Sequence, residues 1–336
     1  MSGKTGIEWT DVTWNPLTGC AHVSPGCDRC YAAREAAGRL SHHPAYEGLA
    51  VRPEGEPARF TGEIRLHPDR LDQPLRWRKP RRVFVNSMSD LFSREIVEQH
   101  GTDGVAFVAE VFVVMSIASD HQFQVLTKRP QRMAQILTDP AFWMHVNRRR
   151  MERGFPVLPG GMSDGMLIPN VWLGTSIESD RYAFRADHLR RTPAAVRFIS
   201  AEPLLGPLPS LDLTGIDWLI VGGESGPQAR PMHPDWVRDL RNRCHPPAED
   251  GCRHSIERLG DEAAAAGDLP DGVTVELAQR PAFFFKQWGE WRSGGWHGRR
   301  VEPVDVGDGR STIMSRVGKK TAGRQLDGRT WDEMPS

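Results

Sequence analysis

Trp218-Leu219-Ile220-Val221-Gly222-Gly223-Glu224-Ser225-Gly226 is a run of large apolar residues that stops at two glycines and a carboxylate. A strand buried on both faces reads this way where it hands over to a loop at its C-terminal end. The same pattern recurs at Val83-Phe84-Val85-Asn86-Ser87, Phe123-Gln124-Val125-Leu126-Thr127, Val171-Trp172-Leu173-Gly174-Thr175, Val196-Arg197-Phe198-Ile199-Ser200 and Phe283-Phe284-Phe285-Lys286. Helical segments are predicted between these runs, over about 95–118, 130–137, 179–191 and 234–244. His233-Pro234-Asp235 announces the last of them, with proline in the first turn. Strands alternating with helices predict an α/β fold with a parallel sheet, closed as a partial or full (β/α) barrel with inserted loops. Residues 1–291 read as the barrel, with insertions near 38–62, 139–168 and 245–280, and 292–336 as a C-terminal extension.

The 336 residues are 39% hydrophobic and 26% charged, enough to bury a large core. The formal net charge is zero, so only a local patch could attract a polyanion. The longest apolar run, around Val105 to Ile117, carries Glu110 and is expected to be too short for a bilayer. The start, Met-Ser-Gly-Lys-Thr-Gly, has no apolar signal region, which predicts a cytoplasmic protein without membrane attachment.

Barrels of this class carry their chemistry on the loops after the strands. The polar residues there are Asn86, Ser87 and Asp90; Lys128 and Arg129; Ser176 and Glu178; Glu202; Gly222, Gly223 and Glu224; then Gln287 and Trp288. Several have a plain structural alternative. Asp90 could cap the following helix, and Glu202 could pair with an arginine such as Arg197. Glycines after the strand ending at Val221 let the backbone approach a ligand, with Glu224 free to hold a ribose hydroxyl or an amino group, or they serve turn geometry alone. Lys128 and Arg129 could bind a carboxylate or phosphate.

Three of the five cysteines fall within eleven positions, as Cys20, Cys27 and Cys30 in a C-x6-C-x2-C spacing, with Tyr31 opening a helix. In a reducing compartment clustered thiols point to a metal or to catalysis. Three thiolates can hold three irons of a [4Fe-4S] cluster and leave the fourth open. Zinc is the rival, with His22, Cys244 or Cys252 as fourth ligand, and unliganded buried cysteines are the third reading. The basic and aromatic stretch Arg76-Trp77-Arg78-Lys79-Pro80-Arg81-Arg82 is the first nucleic-acid candidate and Arg148 to Arg150 the second. The structural alternative for both is a solvated helix end.

Ile7-Glu8-Trp9-Thr10-Asp11, Thr13-Trp14-Asn15-Pro16, Gly19-Cys20 and Ser24-Pro25-Gly26-Cys27-Asp28-Arg29-Cys30-Tyr31 resemble the opening of the phage Gp thirty-seven / Gp sixty-eight family, the three-Cys-motif proteins. The resemblance continues through Asn86 to Phe92, Leu126 to Pro130, Trp172 to Ser176, Ser200 to Leu204, Gly222 to Gly226 and Phe285 to Gly289. It implies a fold like that of the radical S-adenosylmethionine (radical SAM) enzymes, a [4Fe-4S] cluster on Cys20, Cys27 and Cys30, and S-adenosylmethionine on its open iron. A 5′-deoxyadenosyl radical would then act on an unidentified substrate, nucleic acid or nucleotide among the options. It further implies a reductant such as flavodoxin or ferredoxin and a partner protein named after the motif. By strand order Asn86, Ser87 and Asp90 would lie near the methionyl amino group, and Glu202, Gly222, Gly223 and Glu224 near the ribose or adenine. The common radical SAM spacing is C-x3-C-x2-C with an aromatic before the last cysteine. Here the first gap is six, Arg29 precedes Cys30, and Tyr31 follows it.

Overall fold

The computed structural model describes residues 5–160, 166–246, 280–294, 300–305 and 310–335. Seven strands form the main sheet in chain order: β1 (Val12–Trp14), β2 (Arg82–Val85), β3 (Gln122–Thr127), β4 (Val171–Ser176), β5 (Val196–Ala201), β6 (Trp218–Gly222) and β7 (Ala282–Gln287). Every neighbouring pair is parallel. Each crossover advances one strand in the same direction, so right-handed connections put the helices on a single face. The other face can leave water only by curling on itself. This is the partial (β/α) barrel expected from the sequence.

Six of the strands are those expected. The seventh, β1, is three residues with a polar centre at Thr13, too short for an apolar run to reveal. The helices are α1 (Tyr31–Ala36), α2 (Glu95–Ile117), α3 (Pro130–Leu137), α4 (Pro140–Glu152), α5 (Arg185–Arg190) and α6 (Pro234–Cys244). The segment expected as one helix over 179–191 is a 3-10 turn, Asp180–Tyr182, followed by the short α5. The insertion expected near 139–168 instead begins with α4. Asp139 caps it by accepting from the Ala141 amide at 2.9 Å, and Phe142, Trp143 and Val146 are buried. The insertion near 245–280 lies almost wholly outside the described residues, as does Cys252.

Helix α2 is 23 residues long, long and apolar enough by composition to cross a membrane. The chain breaks helical geometry at Gly101 (φ 58°), and Val111 to Met115 are sealed against the sheet and α4. It is the central helix of the outer layer, longer than the apolar run alone suggests.

Strand parity sorts the core. Odd-numbered residues such as Val83, Val85, Phe123, Val125, Leu219, Val221, Phe283 and Phe285 pack outward under the helices. Even-numbered Phe84, Trp172, Phe198, Trp218, Ile220 and Phe284 point inward, with Trp9 from the N-terminal segment plugging the floor against Phe84, ring centroids 4.7 Å apart. The C-terminal extension returns to the barrel: Trp331 accepts from the Phe285 amide at 2.8 Å and Asp332 bridges to Phe284, covering the β7 edge.

The chain between β1 and β2 is held by a ribbon of Leu17–Thr18 against Arg65–Leu66. Thr18 Oγ1 donates to the Ala45 carbonyl (2.7 Å) and therefore accepts from His67 Nε2 (2.9 Å). Burial, then Arg70, pushes His67 down to about 4. The unfolded chain protonates this ring near its ordinary value of about 6.5, so its contribution is whole above that pH and is lost as pH falls from about 6.5 through about 4. Melting temperature measured across this window should fall more in the native chain than in His67→Gln, which keeps a donor but cannot take up the charge.

Candidate functional site

The inward parity that builds the aromatic floor continues upward into polar residues. Beyond Phe84, Phe198 and Ile220 come Ser176, Ser200, Glu202, Glu224 and Lys286, all lining a cavity of about 450 Å³ at the C-terminal ends of the strands. Trp9 and Phe84 form its base, and Arg29, Cys30 and Tyr31 from the cysteine loop form one wall. Lys286 Nζ meets Glu202 Oε1 at 2.6 Å across the mouth. Glu202 therefore pairs with Lys286, not with Arg197, which holds the Thr192 carbonyl and Asp217 instead.

Two buried carboxylate–arginine pairs reach from the barrel to the cysteine loop. Asp90 accepts from the Thr127 hydroxyl (2.7 Å), the Lys128 amide (3.0 Å) and Arg129 (3.0 Å), and Arg129 donates onward to the Ala21 carbonyl (3.0 Å). Glu224 is gripped by Arg230 through both oxygens (2.9 and 2.6 Å), and Arg230 donates onward to the Pro25 carbonyl (2.9 Å). The loop bearing Cys20 and Cys27 is thus pinned on either side of its six-residue gap. Asp90 does not cap a helix: α2 begins at Glu95, preceded by Arg94. Burial works against the Arg129 charge, but Asp90, then Cys20 and Glu95, hold the guanidinium firmly protonated.

The remaining strand-end residues divide. Gly223 has no room for a side chain, since a Cβ there would lie 2.2 Å from the Trp288 carbonyl oxygen. Gly222 leaves the space taken by the Glu202 carboxylate, whose carbon would lie 3.3 Å from a Cβ. Asn86 is buried in a left-handed conformation (φ 58°), with both side-chain amide atoms unpaired. Ser87 donates to Asn15 Oδ1 (3.2 Å), and its carbonyl accepts from Tyr31. Glu178 is fully buried against Arg185 at 3.0 Å, with Oε1 unpaired. Gln287 is spent on the glycine turn, donating to the Gly223 carbonyl (2.9 Å) and Ser225 Oγ (3.0 Å), while Trp288 donates outward to the Gln325 carbonyl. The sequence reading passed over Ser200, Lys286 and Arg34 at the mouth. Strand parity was the signal that would have found the first two.

The three thiols lie within electrostatic reach of one another. Burial pushes Cys20 up to about 12, against the pull of Arg129, with Cys30 and Cys27 adding to the rise. Cys30 is raised by burial too, opposed by the Ala33 and Ala32 amides at the start of α1. Cys20 and Cys30 are therefore protonated at neutral pH in the metal-free loop, and a metal must displace those protons. Three thiols are the donor type that a soft iron–sulfur centre would use, and the Asn86 amide is buried without a partner. The residues fit such a group. Among the described residues no three His, Cys, Asp or Glu side chains, the three cysteines included, are already gathered closely enough to hold a metal ion. His22 turns to solvent and pairs with Asp28 at 2.8 Å. Cys244 is buried in the core at the end of α6, next to His245, which pairs with Glu333. Glu333 in turn accepts from Phe283 at the start of β7. That end of the barrel is opposite the cysteine loop, which removes Cys244 as a fourth ligand.

Both basic stretches are also placed. Arg76 to Arg82 precede β2 and so sit at the N-terminal end of the barrel, away from the cavity. There Arg82 pairs with Asp11 at 3.0 Å, Arg81 stacks on Trp77, and Trp77 packs on His121. Arg148 to Arg150 lie on α4, where Arg149 is paired with Glu110 and Glu152 and Arg150 is buried.

Residues 4–251 and 275–335 match the family described as "Protein of unknown function (DUF5131)". No protein of curated function matches at significance. Two solved structures of spore photoproduct lyase variants are similar at 12% and 11% identity, with TM-scores of 0.38 and 0.37. Each alignment covers 94% of this chain and 71% of the other.

Proposed function

We propose, for a chain that belongs to the DUF5131 family, that it is a radical S-adenosylmethionine enzyme whose cluster sits on Cys20, Cys27 and Cys30. The observation that carries the reading is the placement of the three-cysteine loop. It is pinned by Arg129 and Arg230 beside a cavity at the C-terminal mouth of a partial barrel, and Cys30 lines that cavity. The resemblance to the phage Gp thirty-seven / Gp sixty-eight three-Cys-motif proteins supports it further. Cys20, Cys27 and Cys30 would hold a [4Fe-4S] cluster with one iron left open to S-adenosylmethionine, and the bound group would supply one-electron reductive cleavage of that cofactor.

The chain's own residues have separate tasks. Asp90–Arg129 and Glu224–Arg230 hold the cysteine loop, and Glu224 also lines the mouth, where the nucleoside end would lie. Asn86 and Ser87 would face the methionyl end, since the Asn86 amide is buried without partners. Glu202, Gly222 and Gly223 would flank the nucleoside end. Trp9, Phe84 and Trp218 close the floor and keep water from a reactive radical. A flavodoxin or ferredoxin would deliver the electron, and the three-Cys-motif partner remains a proposed companion.

Anaerobic, iron-replete purification followed by iron, sulfide and zinc analysis tests this. About four irons per chain are expected, as one [4Fe-4S] cluster requires, together with 5′-deoxyadenosine release when S-adenosylmethionine and dithionite are added. Stoichiometric zinc without iron would overturn the reading.

A further inference from the structure

Beside the mouth lies a second cavity of about 280 Å³, lined by Arg29, Arg34 and Arg52, by the Ser225–Ala229 turn and by Glu56, which pairs with Arg59 at 3.2 Å. Arg29, Cys30, Arg34, Ser225 and Gly226 line both cavities, so the groove opens into the mouth beside the last cysteine. The three arginines come from three places: the cysteine loop, α1 and the exposed end of the Ala50–Val51 ribbon.

Their charges are poorly matched by carboxylates. Arg29 is 3.7 Å from Glu224, which Arg230 already holds at 2.6 Å. Arg34 is 3.8 Å from Glu35, which lies closer to Arg39 at 3.2 Å. Arg52 has as its polar partner the Arg34 carbonyl at 3.5 Å. Arginines that serve structure in this chain make pairs near 3.0 Å, as Arg129 and Arg185 do. Gly226, at φ 113°, keeps the groove open, because a Cβ there would lie 1.8 Å from Arg34 Nη1.

We infer that this groove binds consecutive phosphates of a single-stranded nucleic acid and leads the strand to the mouth. Guanidinium forks match phosphate oxygens, and three of them, two shared with the mouth and Arg52 in the groove alone, suit a phosphodiester chain better than a single phosphate. Tyr31, 44% exposed and lining the mouth next to Cys30, offers a ring face on which a base can stack. A chain of zero net charge would hold such a strand through this local patch. The inference names the substrate class of the site proposed above and rests on the mouth being the reactive centre. Its test reads binding alone, so the iron and 5′-deoxyadenosine measurements fail or succeed separately.

The test uses the full chain as purified, whatever its metal content, and a fluorescein-labelled oligothymidylate about twelve nucleotides long, within the usual site size, followed by fluorescence anisotropy. Arg34→Gln and Arg52→Gln should each weaken binding about 5- to 10-fold and each lower the salt slope by about one. An Arg76→Gln/Arg78→Gln chain, altered at the far end of the barrel, should bind within about two-fold of the native chain. Arg52 is exposed, so its variant keeps the test valid even if Arg34→Gln folds poorly. Native affinity in both groove variants, equal loss in the far-end variant, or absence of strand binding would each overturn the proposal. Thymidine monophosphate competing as well as the strand would overturn it too.

Discussion

Cys20→Ala, Cys27→Ala and Cys30→Ala chains, purified anaerobically, should each hold only background iron, while Cys244→Ala keeps the native content. The first three thiols share one pinned loop, and an incomplete three-thiolate set cannot retain a cluster whose fourth iron has no protein ligand. Cys244 is buried at the other end of the barrel, so its loss should cost stability through packing and leave iron untouched. Iron and sulfide analysis alongside far-UV circular dichroism separates the two effects. Iron loss in Cys244→Ala with the fold intact would mean that a fourth protein thiolate closes the site, and the open-iron reading would fall. Cys20 and Cys30 are protonated in the free loop, so loading should also proceed faster at mildly alkaline pH.

Asp90→Ala should destabilise the protein by about 3–5 kcal/mol, the usual cost of leaving a buried charge without its partner. Arg129 would keep its charge with 12% of its side chain exposed, and the Lys128 amide and Thr127 hydroxyl would lose their acceptor. Arg129→Ala should cost a similar amount and also release the Ala21 carbonyl. Because the two residues share one interaction, the double variant should cost clearly less than the sum of the single ones. Urea unfolding at neutral pH measures all three. Additive losses would show that the pair is not coupled. The pair also positions the cysteine loop, so both single variants should release iron faster to a chelator than the native chain does. A merely structural role elsewhere in the barrel would not move that rate.

Strand identity was legible because it is a local property. Apolar runs of four to six residues ending in glycine or polar residues announce themselves without knowledge of the neighbours. The exception, β1, is too short to form such a run and exists because Val12–Trp14 can add to the exposed edge of β2. Helix α4 was obscured by Arg148 to Arg150, which read as a basic surface patch until Glu110 and Glu152 are seen beside Arg149. Lys286 was overlooked because it lies inside the strand, while Gln287 and Trp288 after it drew the eye. Parity sends Lys286 inward with Ser200 and Glu202, and the turn consumes Gln287.

By itself, the sequence determined the parallel α/β architecture, the mouth on which its polar loops gather, and the cluster of three thiols on one loop. The tertiary structure decided what each charged residue there does. Arg129 meets a carbonyl 108 positions away and Arg230 one 205 positions away, so Asp90 and Glu224 hold the loop through them, and Glu224 lines the mouth as well. It also placed Arg29, Arg34 and Arg52 beside the mouth, while Arg76, Arg78 and Lys79 are exposed at the other end of the barrel. Periodicity and turn composition are written over a few residues, whereas charge pairing depends on which distant segments the closing barrel brings within about 4 Å.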